Sequence, residues 1–136
     1  MDPRPRHPYH PLPNPDMQVY WDGVRRGKLL YQVCNACRSV IFHPRVMCPY
    51  CLSDDIRYEQ SAGRGTIYSF TIQHLAASPE WRPKLPYALG IIAMDEGYYM
   101  FAEIVPPDLN VLKVGAPVKV WFDQVDDDLV LPKFEV

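Results

Sequence analysis

Four cysteines stand between residues 34 and 51, as Cys34-Asn-Ala-Cys37 and Cys48-Pro-Tyr-Cys51, and the 136-residue chain has no others. Each C-x-x-C offers two thiolates from one tight turn, so a pair of such knuckles closes a tetrahedral cage around one ion. Zinc is the expected ion, with Cys34, Cys37, Cys48 and Cys51 as its ligands. Iron fits the same sulfur cage, as in rubredoxin, and would betray itself by colour. A disulfide framework implies export, yet the amino terminus, Met1-Asp2-Pro3-Arg4-Pro5, has no apolar signal core. A thioredoxin-like site needs a single C-x-x-C at a helix start in a βαβ context, and the sequence offers none. Four protein ligands leave no place for water, so the metal is expected to hold the fold and not to activate a substrate. His43 lies between the knuckles, but four thiolates already satisfy the ion, and it reads as a turn histidine.

The cage divides the chain. Residues 1–15 carry prolines at 3, 5, 8, 11, 13 and 15, which block helix and sheet ladder alike, and read as a disordered tail or an arm lying along a partner. Residues 16–60 are expected to hold a short helix and the ribbon. Asp16 is the candidate N-cap, Val19, Tyr20 and Val24 the apolar face, and Gly27 the stop. Leu29–Cys34 reads as a strand entering the first knuckle, followed after the second by a polar segment. Residues 61–136 carry five strand patterns, at 65–74, 87–94, 98–105, 117–125 and 129–136, with Tyr68, Phe70 and Ile72 expected on one face. Asp95-Glu96-Gly97 reads as a hairpin turn, and Leu75–Pro86 is the longest connection. Five short strands without a long helix predict an OB-fold barrel, so the fold class is mainly β: arm, short helix, rubredoxin-like zinc ribbon, five-stranded barrel.

This order of motifs resembles one family. Cys34-x-x-Cys37, Phe42-His43-Pro44-Arg45, Cys48-Pro-x-Cys51, Gly63-Arg64-Gly65-Thr66-Ile67-Tyr68-Ser69, Pro86-Tyr87-Ala88-Leu89, the acidic-glycine turn and Leu131-Pro132-x-Phe134 are similar to the zinc-ribbon/OB-fold acyl-CoA-associated proteins, also called domain of unknown function thirty-five. The resemblance runs from about Met17 to the carboxyl end and leaves out the arm. It implies an accessory subunit, non-catalytic in itself, that docks on a thiolase-superfamily enzyme (a thiolase or a steroid side-chain aldolase) acting on acyl-CoA. Members often carry glycine after each C-x-x-C. Arg38 and Leu52 occupy those places here, so the knuckle turns are expected to differ in detail.

The residues agree that the chain is not a catalyst alone. Thiolase chemistry needs a cysteine nucleophile beside a histidine, and the metal claims every thiol. His7, His10, His43 and His74 are scattered, and only His74, at the mouth of the long loop, merits a test as more than a loop histidine. Arg64, Arg82 and Lys84 are the cations placed to meet the phosphates of a CoA thioester, should the long loop close over a site shared with the partner. The rival reading is single-stranded nucleic-acid binding, since barrel and ribbon both serve it and the barrel is rich in aromatics. A formal net charge of -2, with Asp95, Glu96, Glu103, Asp123 and Asp126-Asp127-Asp128 beside those rings, argues against a phosphate backbone. No apolar run approaches the roughly 20 residues needed to span a bilayer, and a cytoplasmic location is expected.

Overall fold

The computed structural model describes residues 9–12, 14–106 and 108–136. The expectations resting on Pro3, Pro5, His7, Pro8 and Pro13 lie outside the described residues. Helix α1 spans Gln18–Arg25 and follows a 3-10 turn at Pro15–Met17. The start of this helical segment is set by Asn14, not Asp16: the Asn14 side chain accepts from the Asp16 amide at 3.1 Å. Gly27, at φ +73°, ends the helix as expected. Its amide donates to Val24 O and that of Lys28 to Gly23 O, the paired bonds of a Schellman turn. The buried face is Tyr20, Gly23 and Val24, while Val19 points outward at 43% exposure. Val19 sits about 100° round the helix from Tyr20, at the edge of the face that Tyr20 and Val24 share four residues apart.

The ribbon is a three-stranded antiparallel sheet of β1 (Leu30–Cys34), β2 (Val40–Ile41) and β3 (Ile56–Gln60), in the order β2-β1-β3. The third strand was the segment read as merely polar. Ile56-Arg57-Tyr58-Glu59-Gln60 pairs along the whole of β1, Leu30 opposite Gln60 through Cys34 opposite Ile56.

Five strands then close a barrel: β4 (Arg64–Gln73), β5 (Tyr87–Met94), β6 (Tyr99–Val105), β7 (Pro117–Asp126) and β8 (Leu129–Glu135). Their order is β4-β5-β6-β8-β7, with β7 returning to β4 and the β6–β8 pair parallel. This is the expected OB-type ring. Phe134, Ile67, Ile92 and Ile104 fill it, and Gly90 leaves the space they need: a Cβ there would lie 2.4 Å from Ile104 Cδ1. One face assignment fails. The β4–β5 register shifts between Ile67 and Ser69, a bulge at Tyr68, so Tyr68 is 59% exposed while Phe70 and Ile72 pack on the core.

Ribbon and barrel share one core through aromatic rings. Tyr98, at the entry to β6, stacks on Tyr31 of β1 at 5.1 Å and lies 4.9 Å from Phe42, which meets Tyr20 of α1 at 5.7 Å. Glu96 in the β5–β6 turn accepts from Ser61 Oγ and from the Ala62 amide, pinning the linker between the two units. The apolar side of α1 is therefore spent on its own barrel.

Candidate metal centre

The two knuckles repeat one local structure. In each, the amide four residues on returns to the first cysteine's carbonyl, Arg38 to Cys34 and Leu52 to Cys48, both at 2.9 Å. In each, the first cysteine's amide donates to a serine carbonyl, Ser39 O at 2.9 Å and Ser53 O at 2.8 Å. Backbone amides also approach the sulfurs, Cys37 N to Cys34 Sγ at 3.5 Å and Tyr50 N to Cys48 Sγ at 3.4 Å. The turn requires a left-handed residue, and Arg38 (φ +64°) and Leu52 (φ +66°) supply it. The expected change of knuckle geometry does not occur: the backbone keeps the glycine conformation, and two side chains bear its steric cost.

The turns bring together all four sulfurs, within 4.8 Å of one another. Cys34 and Cys51 lie 3.6 Å apart across the knuckles, as do Cys37 and Cys48. A tetrahedral zinc with bonds of about 2.3 Å has sulfur–sulfur edges of about 3.8 Å, so the cage fits the ion. Cys34 and Cys48 are buried, and Cys37 and Cys51 face outward. The donor set also asks for a cation. Hydrogen bonds from Ser39 pull the Cys37 thiol down to about 6. The Ser53 backbone favours the Cys51 thiolate, but burial and the three neighbouring thiols push that group up to about 12. A divalent ion relieves the conflict, since coordinated thiols are held as thiolates. His43 is exposed and stands outside the sulfur group.

Sequence reasoning missed the clamp behind the cage. Gln32, 3% exposed, donates to Arg45 O at 3.0 Å and accepts from the Arg45 amide at 2.8 Å, acting as one rung of sheet between β1 and the loop before Cys48. A glutamine between tyrosine and valine in the strand was its only signal. Asn35 similarly ties the first knuckle to Asp55 through backbone and side chain, both at 2.9 Å.

The three candidate CoA cations do not converge. Arg64 opens β4 and the loop carrying Arg82 and Lys84 follows its other end, separated by about 30 Å of strand. Lys84 is committed to Glu103 at 2.6 Å, and Lys133, 8% exposed, lies between Glu103 (3.2 Å) and Asp123 (2.6 Å). Arg82 and His74 are exposed. Exposed rings gather elsewhere on the barrel wall: Tyr68 and Tyr99 meet edge to face at 5.2 Å, and Phe101, 68% exposed, follows on β6.

A four-thiolate ribbon packed on an OB barrel defines the class of this protein. The model for the ChsH2 rubredoxin-like zinc ribbon domain matches residues 21–57, and that for the ChsH2 C-terminal OB-fold domain matches residues 58–123. The two matches adjoin, and the chain belongs to this zinc-ribbon/OB-fold family. Among relatives, a probable enoyl-CoA hydratase alpha subunit of Thermomonospora curvata is 28% identical over 131 residues, 96% of this chain and 39% of its own length. The chain thus spans well under half of that relative. A DUF35 domain-containing scaffold protein of Methanocaldococcus jannaschii is 26% identical over 110 residues, 79% of this chain and 77% of its own. A solved chain described as Ltp2-ChsH2(DUF35) aldolase superposes with a TM-score of 0.84 at 27% identity, covering 93% of this chain and 98% of that one.

Proposed function

We propose that this chain is a zinc-stabilised accessory subunit that docks on a thiolase-superfamily enzyme, a thiolase or side-chain aldolase, acting on acyl-CoA thioesters. The observation that carries the reading is the superposition over nearly the full length of a chain described as part of an Ltp2-ChsH2 aldolase. The chemistry of the residues supports it. All four thiols sit in the metal cage, leaving no sulfur nucleophile for acyl transfer. Zinc in this cage supplies folding energy through Cys34, Cys37, Cys48 and Cys51.

The docking face is the aromatic wall of β4 and β6, where Tyr68, Tyr99 and Phe101 present large apolar surfaces beside Val105, 37% exposed. Aromatic anchors of this kind dominate protein interfaces. A CoA contact from this chain falls to Arg82, because Lys84 is held by Glu103 and Arg64 stands at the far end of the strand.

The test is recovery of partners from nuclease-treated lysate with a tagged chain, with metal read on the same sample. A thiolase-type enzyme co-purifying with zinc-loaded chain, and lost from a Tyr99→Glu/Phe101→Glu variant that keeps its zinc, is the expected result. Recovery of nucleic-acid machinery alone, or of a hydratase without any thiolase-type protein, overturns the reading.

A further inference from the structure

The first described residues do not extend into solvent; they lie on the barrel. Tyr9 packs on Trp81 at 4.5 Å between ring centroids, and its hydroxyl donates to Glu80 O at 3.0 Å. Trp81 also packs on Tyr87, at 5.0 Å. Lys84 Nζ is held by Glu103 and sits over the Trp81, Tyr9 and Tyr87 rings at 4.7, 5.5 and 5.9 Å. One residue on, His10 Nε2 meets Asp128 Oδ1 of the β7–β8 turn at 3.3 Å. Leu12, two residues further on, is 84% exposed. The seat is therefore an aromatic shelf with a fixed cation and a carboxylate, and the occupant is a tyrosine with proline on both flanks, at positions 8 and 11.

We propose that this shelf of Trp81, Lys84, Tyr87 and Asp128 is a docking site for a proline-flanked tyrosine segment of a partner protein. The chain's own residues 9–12 fill it in cis until such a segment displaces them. Aromatic shelves suit proline-rich segments because these are already extended and lose little freedom on binding. The cis occupant shows which chemistry the shelf accepts. Tethering gives the arm an effective concentration on the order of millimolar, so a shelf filled in cis implies an affinity of about 0.1 mM or tighter for the free segment. The proposal stands apart from the docking role of the β4–β6 wall.

The probe is a fluorescent peptide with the sequence of residues 5–14, titrated into full-length protein and read by anisotropy. The Tyr9→Ala/His10→Ala chain is expected to bind at least tenfold more tightly than the wild type, whose shelf is occupied. Adding Trp81→Ala to that variant is expected to abolish binding, and Trp81→Phe to restore most of it. Equal binding by variant and wild type, or none by the variant at millimolar peptide, overturns the proposal. Should the double variant fail to fold, NMR of the isotope-labelled wild type decides: excess unlabelled peptide must shift the Tyr9 and Trp81 ring signals, and unchanged signals overturn the site.

Discussion

The ribbon and the barrel solve the same problem with different means. The ribbon's own buried cluster is Cys34, Ile41 and Cys48, with Ile56 packed against it. The other cluster contains fifteen buried residues, running from Tyr20 and Val24 through Ile67, Ile92 and Ile104 to Phe134. A buried aliphatic side chain contributes about 1.5–3 kcal/mol, whereas ordering each backbone residue costs about 1–2 kcal/mol. A few side chains cannot hold the long segment between β1 and β3 on those terms. The metal makes the difference in the ribbon, as apolar burial does in the barrel.

That contrast breaks most sharply at the cage. Structural zinc supplies roughly 10–16 kcal/mol in small domains, far more than any core side chain here. Cys48→Ser, or a strong chelator, is expected to empty the site and collapse amide protection in β1–β3 while β4–β8 persist, as hydrogen exchange and metal analysis would show. A stable, fully zinc-loaded Cys48→Ser protein would contradict the assignment. Acid acts in the same direction, because protons compete for the thiolates: zinc retention falls as pH falls. The converse lesion is Phe134→Ala, at a residue with 0% exposure. It is expected to cost about 3–5 kcal/mol in a denaturant titration, with one zinc per folded chain retained. Loss of zinc at the same rate as in Cys48→Ser would mean that the two units do not differ in the way described.

The cage was legible because C-x-x-C spacing is a local property: one turn and two ligands occupy four residues. Five barrel strands were legible for a related reason, since alternation and turn residues are short-range signals. What escaped depends on pairing partners far along the chain. β3 looked polar because one side of a ribbon strand faces water, and only its match to β1 makes it a strand. The bulge at Tyr68 resets the facing of β4 by one residue, which no alternation pattern announces. Val19 and Val24 were both apolar, and only the barrel decides which is buried. Arg64, Arg82 and Lys84 looked alike as loop cations, yet closure of the ring puts Arg64 at one end and gives Lys84 a carboxylate.

A smaller effect tests the polar seam on the barrel wall. Lys133 joins Glu103 and Asp123 at 8% exposure, so Lys133→Met leaves two partly buried carboxylates facing each other. About 2–3 kcal/mol is expected, below the range for a fully buried pair because Lys84 still serves Glu103. Burial by itself lowers the Lys133 pKa, but the hydrogen bond to Asp123 and the charge of Glu103 overcome it and raise the group above its ordinary 10.5. A raised lysine stabilises fully below its unfolded value, and that stability is lost as pH climbs through the folded one. The wild-type advantage over Lys133→Met should hold at neutral pH and shrink only in the alkaline range above about 10.5. A neutral-pH advantage absent from paired urea titrations would show the seam to be dispensable.

The smallest expected effect is a gain. Leu52 holds φ +66° while 69% exposed, so its side chain bears the steric cost of the left-handed turn and packs against little in return. Leu52→Gly removes that cost, about 1–2 kcal/mol for an L-residue, but adds backbone freedom to the unfolded chain, about 0.5–1 kcal/mol. The net is a stabilisation of about 1 kcal/mol or less, confined to the ribbon. It should appear as slower zinc transfer to a chelator, with the barrel's denaturation midpoint unmoved. Arg38→Gly, at φ +64° in the matching knuckle, should repeat the effect. The two gains should add only partly, because both knuckles grip one ion. If Leu52→Gly instead speeds zinc loss, the leucine side chain shields the cage from solvent, and the ribbon relies on apolar cover more than its buried cluster suggests.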